Sequence, residues 1–216
     1  MSVREVVVAT RSGDKLREIR QIFAAHPGLR VLGLDEAGVP ESPEEEGIEA
    51  FSTFEENALA KARYFAARTS HLVLADDSGL AVDALGGAPG VWSKRFSGRS
   101  DLRGAALDRA NNEALLERLS GVPEAERTGR YVCVVALVLP DGTEPLFRGE
   151  CGGVILPAPR GTGGFGYDPL FYLPEEGRTF GELPTERKNE LSHRGKAVRA
   201  AASWVARGLD QESAGV

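Results

Sequence analysis

The sequence predicts a mixed-sheet α/β fold on three observations. Apolar, β-branched runs alternate with helical periodicities early in the chain. Later, the runs Tyr131 to Leu139 and Leu146 to Ile155 flank Pro140-Asp141-Gly142-Thr143, which is a hairpin signal. The chain then closes on Val198, Ala201, Ala202 and Val205, spaced as one face of an amphipathic helix. Taken in order, Val3 to Ala9 suits a buried strand, and Leu16, Ile19, Ile22 and Phe23 recur at helical spacing. Leu29 to Leu34 suits a second strand. Thr53-Phe54-Glu55-Glu56 matches a capping box, and the helix it opens buries Ala58, Leu59, Ala62 and Phe65. Asn57 and Lys61, four apart, share another face of that helix. Leu72 to Ala75 reads as a short buried strand ending at Asp76-Asp77-Ser78-Gly79, and a helix is expected near Leu107 to Leu119. Leu170 to Leu173 reads as one more short strand.

Composition narrows the function. The chain has 216 residues, 42% hydrophobic and 27% charged, which suits one domain of two joined lobes over residues 1–209 and a frayed tail over 210–216. A net charge of -6 argues against a nucleic-acid surface, so a polyanionic substrate needs a local basic pocket. Cys133 and Cys151 lack metal-ligand spacing and read as buried, inert thiols, which points to a reducing cytoplasm. The segment Met1-Ser2-Val3-Arg4-Glu5 does not resemble a secretory leader, and no apolar run approaches the ~20 residues of a membrane span. No membrane partner is expected.

Four segments could carry chemistry. Thr10-Arg11-Ser12-Gly13-Asp14-Lys15 joins a strand to a helix, where main-chain N–H groups and a lysine suit phosphate oxygens. The spacing is not that of a Walker A loop. Asp76-Asp77-Ser78 brings adjacent carboxylates that need a cation or proton to coexist, and Mg2+ takes such ligands together with phosphate oxygens. On a strand the two aspartates point to opposite faces, so one can serve the site while the other anchors the backbone. Gly161 to Pro169 contains a Gly-x-Gly-x-x-Gly string but leads into a strand, so it suits a base-holding loop displaying Phe165 and Tyr167 rather than a dinucleotide fold. Lys188 with Ser192-His193-Arg194-Gly195 adds donors.

In this order the segments resemble the inosine triphosphate pyrophosphatase family, enzymes that remove noncanonical purine nucleoside triphosphates. The resemblance runs from Val6 to Arg199. It is carried by Thr53-Phe54-Glu55-Glu56-Asn57-Ala58 with Lys61-Ala62, and by Ala75-Asp76-Asp77-Ser78-Gly79-Leu80 on through Gly86-Gly87-Ala88-Pro89-Gly90. Gly163 to Pro169, Lys188 and Ser192-His193-Arg194-Gly195 complete it. The resemblance implies an elongated mixed β-sheet with flanking helices, forming two lobes around a central cleft, and a homodimer. It implies that Thr10 to Lys15 hold phosphates and that Asp77 binds Mg2+ and deprotonates the attacking water. Lys15 and Lys61 would steady the developing charge, with Ser78 beside the substrate. Phe165, Gly166, Tyr167, Asp168, Lys188, His193 and Arg194 would contain the base, with His193 or Arg194 donating to a 6-oxo group. Glu44 or Glu45 would complete the metal site. Ser12 stands where the family usually has asparagine and Asp14 where it has glycine, and the stretch Gly47 to Thr53 is longer than usual. The alternatives are a related pyrophosphatase acting on pyrimidine or modified triphosphates, and a nucleotide-binding module without turnover.

Overall fold

The computed structural model describes residues 3–214, with side chains described as far as Gly208. Strand β1 (Arg4–Val8) is followed by α1 (Gly13–Phe23) and β2 (Leu29–Gly33). Helix α2 (Phe54–Ala66) leads into the long strand β3 (Leu72–Val82), and α3 (Gly104–Arg118) follows. Neighbouring strands β4 (Thr128–Val138) and β5 (Leu146–Ile155) meet the hairpin expectation. Short strands β6 (Phe171–Leu173) and β7 (Arg178–Thr179), then α4 (Thr185–Leu191) and α5 (His193–Ala214), complete the order. The expected frayed tail at 210–216 lies outside the described side chains.

The seven strands run β2-β1-β3-β4-β5-β6-β7 in one sheet. β1 is parallel to both β2 and β3, with Val6 opposite Val31 and Leu72, while β6 is antiparallel to β5 and β7. The sheet is therefore mixed, as expected from the early strand–helix alternation and the late hairpin. Two compact units divide the chain. One holds residues up to Asp77, Cys133–Gly149 and Arg194 onward; the other holds Ser78–Val132 and Glu150–His193.

In the first unit, strand alternation sorts two cores. Val6, Val8, Leu72, Leu74, Cys133 and Val135 pack with Ile19 and Phe23 of α1 and Val198 and Ala201 of α5. Val7, Ala9, Val73, Ala75 and Val134 pack with Ala58, Ala62 and Phe65 of α2. Helices cover both faces, which is why these strands read as unbroken apolar runs. The second unit has its own core, built from Leu80 and Val82, Leu115 of α3, Tyr131, and an aromatic group of Tyr167, Phe171 and Phe180.

One expectation is corrected here. The strand beginning at Leu72 does not stop at Ala75; it continues through both aspartates to Val82. Asp76 is buried with Lys15 and Arg194 both on its Oδ2, so its charge is paired and does not break the strand. Gly79 lets the backbone of Gly90 approach so closely that a Cβ would overlap its carbonyl oxygen.

Candidate active site

The alternation that sorts the cores also separates the aspartates. Asp76 shares the face of Leu72 and Leu74, toward α1 and α5, while Asp77 shares the face of Val73 and Ala75, toward α2. Asp76 Oδ2 accordingly accepts from Lys15 Nζ at 3.0 Å and from Arg194 Nε at 3.3 Å, and Arg194 Nη1 donates to Glu18 Oε2 at 2.8 Å. Burial alone would raise the Asp76 carboxyl, but Lys15, Arg194 and Lys61 hold it far below the usual carboxylate range. This aspartate is a permanent anion that anchors Lys15.

Asp77 has the opposite environment. Its Oδ2 accepts from the Asn57 side-chain amide at 3.0 Å. Burial pushes its carboxyl up to about 6, with the Glu49 charge adding to the rise and Lys61, Lys15 and the Asn57 hydrogen bond opposing it. A carboxylate tuned toward neutrality suits a general base. Lys61, one helical turn after Asn57, donates from Nζ to Glu49 Oε1 and to the Asp76 main-chain carbonyl. Burial tends to raise the Glu49 carboxyl; Lys61 and Lys15 outweigh it and keep Glu49 ionised.

The structure brings Glu49, which the sequence did not single out, to this cluster through Lys61. Glu44 and Glu45 were the expected metal glutamates, and the fold commits both elsewhere. Glu45 forms a two-point ion pair with Arg11 and accepts the Ser42 N–H, closing a 3₁₀ turn over Pro43–Gly47. Glu44 pairs with Arg68 at 3.0 Å and accepts from the Tyr64 hydroxyl. The available signal was Lys61, whose buried ammonium needs a nearby anion.

The first loop folds as expected, with Ser12 capping α1 through Lys15 N at 3.4 Å and Thr10 Oγ1 accepting from Ser12 N at 3.1 Å. Gly13 is the first helical residue, so the free amides of this helix end face the loop. A pocket of about 300 Å³ opens here, lined by Thr10, Arg11, Ser12, Gly13, Asp35 and Glu36 among others. Asp14 points to Arg17, 2.9 Å away and largely exposed, which offsets its charge near the loop. Arg11 is turned toward acidic partners, not held out as a lone phosphate donor.

The second unit carries the base-side set. Asp168 Oδ2 accepts from Lys188 Nζ at 2.6 Å and from Phe165 N at 2.8 Å, which fixes the tip of the glycine-rich loop. Gly164, at φ +71°, permits this closure because a Cβ would overlap Asp168 Oδ2. Lys188 Nζ lies 4.5 Å from the Phe165 ring centroid. Gly166 N donates to Asp108 Oδ2 at 2.9 Å, and His193 stacks on Tyr131 at 4.5 Å and 4°. Of the two aromatics expected to display themselves, only Phe165 is partly exposed. Tyr167 is 3% exposed, and its hydroxyl donates to the Ser93 carbonyl at 2.7 Å. Ser78 is partly exposed on β3. Arg194, expected at the base edge, is 3% exposed and belongs to the first unit, engaged with Asp76 and Glu18.

Asp77 and Glu49 fit a hard divalent cation. They offer only carboxylate oxygens, and the charge of one raises the carboxyl of the other, a repulsion that a cation relieves. Among the described residues no group of three or more His, Cys, Asp or Glu side chains could hold a metal. No helix among the described residues is long and apolar enough to cross a membrane.

Comparison with known proteins places these features in context. The Ham1 family model matches residues 6–204. A dITP/XTP pyrophosphatase of Geobacter sulfurreducens is 52% identical over 193 residues, covering 89% of this chain and 92% of that protein. One from Thermus thermophilus is 50% identical over 196 residues, covering 91% and 89%. A HAM1 protein structure from Coxiella burnetii aligns with a TM-score of 0.80 at 35% identity, covering 95% of this chain and all 100% of that one. The nucleoside-triphosphatase or dITP/XTP pyrophosphatase of Mycobacterium abscessus aligns with a TM-score of 0.70 at 41% identity, covering 91% and 98%.

Proposed function

The chain belongs to the Ham1 family, and from that premise we propose that it hydrolyses noncanonical purine nucleoside triphosphates, such as dITP and XTP, to the monophosphate and pyrophosphate. The observation that carries the chemistry is the contrast between adjacent aspartates: Asp76 is held anionic by Lys15 and Arg194, while Asp77 is raised toward neutrality beside Asn57 and Glu49. Two carboxylates with environments pushed apart are the pattern of a working base next to an anchor.

In this reading water attacks the α-phosphorus. The new P–O bond forms as the bond to the pyrophosphate oxygen breaks, and the proton of the water passes to Asp77. The N-terminal amides of α1 and Lys15, steered by Asp76, bind phosphate oxygens and steady the developing charge. Lys61 holds Glu49 in place beside Asp77. Asp77 and Glu49 would hold Mg2+, which when bound neutralises phosphate charge and makes pyrophosphate a better leaving group.

Phe165 offers a face on which a base can stack, a contact worth about 1–3 kcal/mol that any base can make. Choice among bases therefore rests on donors; the candidates on the second unit are His193 and Lys188, each 4% exposed, which a base would have to uncover. A donor facing position 6 accepts an oxo group and leaves an amino group opposed, which can discriminate by large factors. The homodimer and the cytoplasmic setting implied by the family resemblance belong to the same proposal; two free buried cysteines accord with a reducing compartment.

The test is a panel of dITP, XTP, ITP, dATP and GTP with Mg2+, separating pyrophosphate from orthophosphate. Pyrophosphate from the 6-oxo substrates dITP, XTP and ITP, with dATP spared, is expected; orthophosphate with a nucleoside diphosphate would place the scissile bond elsewhere. Sedimentation of the same preparation reads the dimer.

A further inference from the structure

Arg11 lies between Thr10 and Ser12, in the middle of the proposed phosphate loop, yet its guanidinium reaches away along the chain. Nε donates to Glu45 Oε2 at 3.1 Å and Nη2 to Glu45 Oε1 at 2.8 Å, a parallel fork that fixes both groups in orientation. Nη1 donates to Asp35 Oδ1 at 3.0 Å and Nη2 to the Val39 carbonyl at 3.1 Å. Four of the five guanidinium N–H donors are thus used within the protein. The pair is not a loose surface contact: Arg11 and Glu45 side chains are 26% and 15% exposed. A lysine could not reproduce this fork.

Glu45 is equally committed. Besides the fork, its Oε1 accepts the Ser42 N–H at 3.1 Å, and Ser42 in turn accepts from Glu44 N, so the carboxylate closes the turn over Pro43–Gly47. Glu49 follows that turn after Ile48. On its other side the chain is pinned at Phe51, whose N–H donates to Asn57 Oδ1 at 2.9 Å and whose carbonyl accepts from Asn57 Nδ2 at 3.3 Å. The segment bearing Glu49 is therefore held from two directions: by Asn57, Lys61 and Arg68, of α2 and the residues just after it, and by Arg11, which comes from the phosphate loop.

We infer that Arg11 is a positioning residue, a clamp that ties the Glu49-bearing segment to the loop Thr10–Lys15 through Glu45, so that metal carboxylate and phosphate donors are presented in fixed relation. The inference rests on the proposed reading of Glu49 and Asp77 as the Mg2+ carboxylates. It gives the acidic turn a role other than metal ligation: Glu45 serves the site through Arg11. Loss of either partner leaves residues 42–49 held only from the side of α2, with no tie to the phosphate loop.

The test uses the full chain with Arg11→Ala, Glu45→Ala, the double variant and the milder Glu45→Gln. Hydrogen–deuterium exchange over residues 42–51, in metal-free protein, should quicken at least ~10-fold in both alanine variants and less in Glu45→Gln. The Mg2+ concentration for half-maximal dITP turnover should rise at least ~5-fold in both, while KM for dITP at saturating Mg2+ changes by less than ~2-fold. Because each alanine variant already removes the whole clamp, the double variant should be no worse than the worse single one. Unchanged exchange over 42–51 overturns the clamp. So does a higher KM for Arg11→Ala at saturating Mg2+ paired with a lower KM for Glu45→Ala, the mark of a plain phosphate grip. Failure of the underlying reading shows separately, as a wild-type protein that releases no pyrophosphate from any 6-oxo triphosphate.

Discussion

Asn57 and Asp77 are joined by a hydrogen bond of 3.0 Å, from the side-chain amide of α2 to the Oδ2 of β3, and the same amide group holds both polar atoms of the Phe51 backbone. One side chain thereby fixes the orientation of the candidate base and the end of the segment that carries Glu49. The bond opposes the rise that burial imposes on Asp77, so the carboxyl settles at about 6. An amide at position 57 can do both because it donates and accepts; an aspartate there would accept only.

Replacing Asp77 should separate function from stability. Asp77→Asn removes the proposed base and metal ligand, and loss of a general base costs about 10²–10⁴-fold in rate. Stability should move the other way in metal-free protein. A carboxyl raised from 3.8 to about 6 contributes stability that is fully present below 3.8 and is lost as pH rises through 6. Asp77→Asn escapes that loss, by at most about 3 kcal/mol at pH 8, and the gain vanishes near pH 3.5. Urea unfolding in EDTA at both pH values reads this; a variant less stable than wild type at pH 8 contradicts the assigned cause.

Arg194 should matter to folding more than to base choice. It is 3% exposed and pairs with Asp76 and Glu18. Arg194→Ala leaves two buried carboxylates short of a cation, a change that typically costs about 3–5 kcal/mol. Chemical denaturation measures the loss, and a cost under about 1 kcal/mol would show that the network is not maintained in solution.

Gly164→Ala should disable the base-side loop without touching the first unit. The position has φ +71°, and the added Cβ would collide with Asp168 Oδ2, which holds Lys188 and Phe165 N. Backbone strain of this kind costs about 1–3 kcal/mol. The expected result is at least a ~10-fold fall in kcat/KM for dITP and dATP alike, because the loop positions the stacking face before any edge is read. A selective loss for dITP would mean that the loop itself reads the base.

Cys133 should be chemically silent in the native protein. Burial pushes its thiol up to about 12, and the Asp76 charge adds to the effect. At pH 8 only roughly one thiol in ten thousand is then ionised. Iodoacetamide should leave the Cys133 peptide unmodified in native protein and label it fully in urea, as read by mass spectrometry; native labelling at the denatured rate would contradict the burial.

Much of the molecule was legible from local pattern. Leu16, Ile19, Ile22 and Phe23 announced α1, and three of them are buried in the first core. Thr53 and Glu56 announced the start of α2, where the Thr53 hydroxyl does accept the Glu56 N–H at 3.2 Å. Adjacent aspartates on a strand were expected to part, and β3 turns them to opposite faces. The length of β3 was not legible, because a strand interior carrying two carboxylates looks like a strand end until the cations that satisfy it are in view. Strand β6 lies within the expected Leu170 to Leu173, but β7 was not legible for a simpler reason: at two residues it carries too little periodicity.

The sequence by itself determined the fold class and the family, and pointed to four segments that could carry chemistry, since strand and helix periods and motif order are properties of neighbouring residues. Tertiary structure decided which charges meet. Arg194 finds Asp76 across 118 positions and Glu18 across 176, and Arg11 finds Glu45 across 34. Three glutamates in a row, Glu44, Glu45 and Glu46, look more like a metal loop than the single Glu49 beside Phe51. Ion pairing depends on distance through space and on the cost of leaving a buried charge alone, and chain spacing records neither. Lys61 therefore pairs with Glu49, and Arg11 with Glu45, only once the chain has folded.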